Sequence, residues 1–181
     1  MYVVSIFYMG VIMLSRLIRI NKSEPKIVKF DEPLKAVGVS MKTGPKMSYQ
    51  DALSLGNKYN KIKRFIKNRR EPWAFVAVTK HLSNDKTKLE YFMGDVVTSF
   101  DNIPKDYAKF EIPAKTYAAF TISPMFNFLW AHTISLTKKY IYSEWLPKSK
   151  YEADTEDIGE FEYHDKRSRT KKPSIDLYVA I

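Results

Sequence analysis

Hydrophobic and polar positions follow the same order twice along this chain. KFDEPLKAVGVS (29–40) and KFEIPAKTYAAFT (109–121) place Lys, Phe, Pro and Lys at a constant offset of 80 residues. Both read as strands, with β-branched and aromatic residues on either side of a Pro that suits an edge or a bulge. After the first copy comes a helical stretch, about 48–68, in which Leu55, Tyr59, Ile62 and Ile66 fall at spacings of four, three and four. WAFVAVTK (73–80) and KLEYFMGDVVTSF (88–100) then read as strands. After the second copy comes SPMFNFLWAHTISLTKKYIYSEWLP (123–147). There Ser123 is the expected N-cap and Pro124 the first helical residue. Phe126, Trp130, Ile134, Ile141 and Trp145 lie along one side, Leu129, Leu136 and Tyr140 widen the stripe, and Pro147 ends it. EFEYHDKR (160–167) and IDLYVAI (175–181) complete the second unit as strands.

Each unit is therefore β-α-β-β, and the fold class expected is α+β, a tandem duplication with a ligand groove between the two halves. The first module covers about 26–100, the second about 106–181, and residues 1–25 form an apolar N-terminal extension. Two such units can join their sheets about a pseudo-twofold axis, with helices over one face and the groove expected on the other. Strand alternation sends Phe161 and Tyr163 to one side and Glu162 and His164 to the other. With the aromatic pair covering the helix, Glu162 and His164 face the groove. In the last strand Ile175, Leu177, Val179 and Ile181 form the core row, opposite Asp176 and Tyr178.

Composition removes several chemistries. The chain has no Cys, which excludes disulfides, thiolate nucleophiles and Cys-based zinc sites. Its three His have no metal-ligand spacing, so neither a metal nor a cofactor is expected. The net charge of +10 is lopsided: residues 1–80 hold 16 Lys/Arg against 5 Asp/Glu, and the other 101 hold 14 against 15. The densest basic run is KYNKIKRFIKNRR (58–70). Its apolar stripe makes a solvated helix face the favoured reading; nucleic-acid or partner-protein binding through it is the second alternative function, and direct nucleic-acid binding is not expected. The first fourteen residues carry no charge and fall short of the ~20 needed to span a bilayer. They lack the flanks of a signal peptide. An added strand or helix, a weak membrane anchor, or a true start near Met13 remain as readings.

Candidate chemistry centres on acids among aromatics. Such an acid supplies the counter-charge for a lipophilic cation, and each ring face adds about 0.5–2 kcal/mol of cation–π attraction. Desolvation by the rings would raise its pKa, a state useful in acid–base work. Glu162 equally suits an open sheet as an exposed or cross-strand-paired residue. Trp130 and Trp145, at helical spacing, fit the core. Glu144 falls in the last helical turn, where a negative charge opposes the dipole and calls for a partner such as a backbone amide or a Lys.

KIVKFDEPLKAVGVS, LEYFMGDVV, FEIPAKTYAAFT, YIYSEWLPKSKYE, FEYHDKRS and IDLYVAI, in this order, resemble the GyrI-like small-molecule-binding domain over about residues 26–181. That domain is also the effector-binding module of AraC-type and BmrR-type transcription regulators. The resemblance implies binding of hydrophobic, often cationic, drug-like molecules in the groove, by a cytoplasmic sensor or sequestering protein without its own DNA-binding domain. A transcription regulator is a further candidate partner. The acid facing the ligand maps to Glu162, the aromatics to Tyr91, Trp130 and Tyr140, and His164 stands where the family often has Tyr. Glu144, Trp145 and Phe120 are secondary candidates. The alternative function implied is hydrolysis of electrophilic, cyclopropane-type toxins, with Glu162 as the acid.

Overall fold

Pro33 and Pro113 divide each repeat-bearing stretch into two strands instead of one. The structure, a computed structural model, describes residues 20–44, 49–82 and 85–181. The expected readings for the first fourteen residues lie outside them. In the first half β1 (Lys26–Lys29), β2 (Leu34–Thr43), α1 (Tyr49–Ile62), β3 (Phe75–Leu82) and β4 (Asp85–Val96) follow one another. In the second half come β5 (Ala108–Ile112), β6 (Thr116–Ile122), α2 (Trp130–Tyr140), β7 (Glu160–His164) and β8 (Ile175–Ala180).

All eight strands form one sheet in the order β1-β6-β8-β7-β3-β4-β2-β5, with every pair antiparallel. The order is palindromic under exchange of the halves, so the pseudo-twofold axis passes between β3 and β7. The short strand before each Pro crosses over: β1 pairs with β6 and β5 with β2. Each half thus supplies the other's outermost strand, and the short β1 and β5 are the two edges of the sheet.

The helices cover one face. Under α2 lie Ala118, Phe120 and Ile122 of β6 with Ile175, Leu177 and Val179 of β8, joined by Ile141 and Trp145. Under α1 lies Val37, with Ile66, Val97 and Ile103 around it and Tyr59 and Ile62 packed on top. The predicted stripe therefore turns inward, with Leu55 and Ile66 buried and Tyr59 and Ile62 half-buried, and Lys58, Lys61, Lys63, Arg64, Lys67 and Arg70 are exposed.

The opposite face closes on itself. Phe30 meets Tyr117 at 5.2 Å and Tyr178 at 5.7 Å between ring centroids, Phe161 stacks on Tyr178 at 4.8 Å, and Phe92 stacks on Phe110 at 4.7 Å. Such pairs contribute about 0.5–1.5 kcal/mol each beyond area burial. This corrects the sidedness expected from alternation. Phe161 and Tyr163 belong to this second core, not to a helix contact, and Glu162 shares the helix face with its register partner Leu177. Both rows of β7 had company available; Tyr117 and Tyr178 stand on the far side and take Phe161 there.

The entry to α2 also differs from expectation. Ser123 is not its N-cap: the hydroxyl donates to the Pro173 carbonyl at 3.0 Å, and Phe126 is extended (φ −136, ψ 146). A single turn at Asn127–Leu129 leads into the helix, so Phe126 leaves the predicted stripe and stacks, exposed, on Phe128. The wider turn Ile141–Trp145 and the tight turn Leu146–Lys148 carry the helix to Pro147.

Candidate ligand groove

The central strands set the site. Ala77 of β3 lies opposite Glu162 of β7, and Phe75 opposite His164. Because Ala77 ends in a methyl group, the sheet is hollow beside the Glu162 side chain. Thr79 of β3 and Tyr91 and Met93 of β4 continue the floor; Leu55 of α1 and Lys138 of α2 form the walls, and Glu160 completes the lining. The cavity is about 300 Å³. Sites between modules that bring apolar walls to a few polar groups are usual places for small ligands.

Glu160 and Glu162 stand on the same side of β7 but in different company. Glu160 Oε1 is 2.5 Å from Lys138 Nζ, and its Oε2 accepts a hydrogen bond from the Tyr142 hydroxyl at 3.0 Å. Burial, and then the Glu160 charge, hold the Tyr142 hydroxyl well above its ordinary range. Among the described residues Glu162 Oε2 has only His164 Nε2 as a partner, at 3.2 Å, with a quarter of its side chain exposed. A carboxylate without a Lys or Arg partner among the described residues, at the edge of an apolar hollow, can be matched by a cation entering from solvent.

A buried carboxylate secures the α1 end of the groove. Asp95 is 1% exposed and accepts from the Tyr59 hydroxyl at 2.7 Å, Arg69 Nε at 2.7 Å and Trp73 Nε1 at 3.0 Å. The Tyr59 ring packs on Phe75 at 5.0 Å, and Phe75 meets His164 edge-on at 5.2 Å. A continuous row of packed groups thus runs from Asp95 to the Glu162–His164 pair.

The remaining candidates stand elsewhere. Glu162 and Tyr91 line one cavity and His164 adjoins it. Phe120 and Trp145 meet edge-on at 5.0 Å in the core beneath α2, and Trp130 and Tyr140 pack against that same cluster. The Tyr140 ring carries Lys22 Nζ at 5.0 Å, and the Glu144 carboxylate takes the same ammonium at 2.6 Å. Hydrogen bonding to Lys22 holds Glu144 below the usual carboxylate range. Tyr140, Glu144 and Trp145 border a second hollow of about 540 Å³, with Lys22 and Tyr151. It is larger than the groove, but Glu144 is already paired with Lys22 and Glu24 accepts from Trp145 Nε1, and it draws on only one of the two helices, so the groove is the better site. Leu55, Ala77, Met93, Lys138 and Glu160 were not among the candidates. Glu160 was within reach, since alternation places it in the same row as Glu162. Among the described residues there is no cluster able to hold a metal ion, and no helix is long and apolar enough to cross a membrane.

Comparison with known proteins bears on this arrangement. The family model described as Cass2, integron-associated effector binding protein, matches residues 26–181. Among curated proteins no sequence matches the chain. Three solved structures share the fold at low identity. The integron cassette protein VCH_CASS2 from the mobile metagenome of Vibrio cholerae has a TM-score of 0.59 and 11% identity, covering 90% of this chain and 97% of its own. A candidate transcription regulation protein from Staphylococcus aureus MU50 has a TM-score of 0.60 and 13% identity, covering 87% and 97%. A structure of SAV2435 bound to tetraphenylphosphonium has a TM-score of 0.64 and 11% identity, covering 87% and 93%.

Proposed function

The chain belongs to the Cass2 family of integron-associated effector binding proteins, and from that premise we propose that its groove binds hydrophobic, cationic, drug-like small molecules, with Glu162 as the counter-charge. The observation that carries this reading is the position of Glu162, on an axis strand in an inter-helix cavity, without a Lys or Arg partner among the described residues. Leu55, Met93 and Tyr91 give a lipophilic cation its apolar contact. The structural neighbour solved with tetraphenylphosphonium supports the ligand class. A sensor or sequestering role in the cytoplasm, linked to a transcription regulator, accords with this reading.

Calorimetric titration with tetraphenylphosphonium tests it. The wild-type protein binds at micromolar concentration, and Glu162→Gln weakens binding about tenfold, or about 1.4 kcal/mol. Equal affinity in the variant would remove Glu162 from the reading.

A further inference from the structure

We infer that Lys138 sets the charge of the ligand this groove accepts, restricting it to monocations. The inference rests on the ligand reading above. Alternate residues of a strand point the same way and rise about 3.3 Å each, so the Glu160 and Glu162 side chains leave β7 on one side about 7 Å apart. Both line the cavity, as does Lys138, which reaches across from α2 to Glu160 Oε1 at 2.5 Å while Tyr142 donates to the other oxygen. Two carboxylates and one ammonium leave one negative charge unmatched, and it is on Glu162, whose only partner among the described residues is His164.

A monocation therefore finds one complementary acid. A dication with charges about 7 Å apart would put its second charge beside Glu160, where Lys138 already stands. Like charges at that range repel, and the dication would have to displace an internal ion pair. Lys138 thus acts as a tethered cation that fills the second acidic position. Discrimination of this kind comes from a repulsive element in addition to the attractive one.

The test compares two flat probes of nearly the same shape, the methyl phenylpyridinium monocation and the dimethyl bipyridinium dication, by calorimetry at pH 8. Wild type prefers the monocation. Lys138→Met raises dication affinity relative to monocation at least tenfold, and adding Glu160→Gln returns the ratio to the wild-type value. Lys138→Arg, which keeps the charge, keeps the ratio. Glu160→Gln alone leaves the ammonium without its acid and weakens the dication more than the monocation, which keeps the inference testable should Lys138→Met fail to fold. An unchanged ratio in Lys138→Met, with Glu162→Gln still weakening the monocation, overturns the role of Lys138 and leaves the groove reading standing. Unchanged monocation affinity in Glu162→Gln overturns the groove reading itself.

Discussion

Ala77 on β3 stands directly across from Glu162 on β7, at the join between the two halves of the sheet. The smallest chiral side chain opposite an acid leaves the hollow that the helices enclose. Ala77→Leu is expected to fill it. Isobutyl in place of methyl takes up part of a cavity of about 300 Å³ without entering a packed core. Affinity for tetraphenylphosphonium then falls at least tenfold while the melting temperature moves by only a few degrees, both read on the same sample. Retained affinity would place the ligand elsewhere.

Asp95 holds the α1 end of that hollow through three donors, one of them the charged Arg69. Asp95→Asn keeps the shape but leaves the guanidinium without its counter-charge, at an expected cost of about 3–5 kcal/mol. Tyr59→Phe removes one neutral donor and is expected to cost about 1 kcal/mol. Urea denaturation measures both. A cost for Asp95→Asn as small as that for Tyr59→Phe would show that the charge pair carries no special weight.

Much of this frame was readable from residue pattern, and the limits have physical causes. The repeated Lys-Phe-x-x-Pro-x-Lys marked the duplication because the same strand break recurs in both halves. That β1 would leave its own half to pair with β6 was not readable, since strand exchange depends on partners 90 residues away. Alternation sorted Glu162 from Phe161 correctly but could not tell which row the helices would cover. That choice depends on partners from distant strands, since Phe30, Tyr117 and Tyr178 gather on the far side. Helical spacing marked Trp130 and Trp145 as core, and they pack there. Glu144 called for a nearby Lys and has Lys22. Lys138 carried no signal, because a Lys among others on a helix reads as solvated until the fold lays it over Glu160.

Gly38 and Gly94 face each other in register on β2 and β4. A Cβ on Gly38 would collide with the Met93 carbonyl oxygen, and one on Gly94 would strike Val37 backbone and the Phe92 ring. Either Gly→Ala change must move a strand. Gly56, within α1, has nothing near its missing Cβ, so Gly56→Ala is expected to stabilise by about 0.5–1 kcal/mol through helix propensity. Opposite signs for Gly38→Ala and Gly56→Ala in thermal denaturation are the expected outcome. A neutral Gly38→Ala would contradict the close strand approach.

The aromatic content also sets an alkaline limit on stability. Burial raises the hydroxyl pKa of Tyr59, Tyr117, Tyr142, Tyr163 and Tyr178. For Tyr178, burial and then the charge of Asp176 push it up to about 12. In the unfolded chain these groups titrate near 10. A folded-state pKa above the unfolded one means that the stabilisation is whole below pH 10 and is lost as pH rises past it, because the unfolded chain sheds protons the folded chain keeps. Each retained proton removes about 1.4 kcal/mol per pH unit in that window. Tyr142, 42% exposed, adds little because solvent screens it; the other four make the fold give way cooperatively between about pH 10 and 12. Tyrosinate absorbance and far-ultraviolet circular dichroism, followed together, check this. Tyr59, Tyr117, Tyr163 and Tyr178 are expected to ionise in one step as the dichroism collapses. Smooth ionisation of all twelve tyrosines near pH 10 with the fold intact would refute the burial argument.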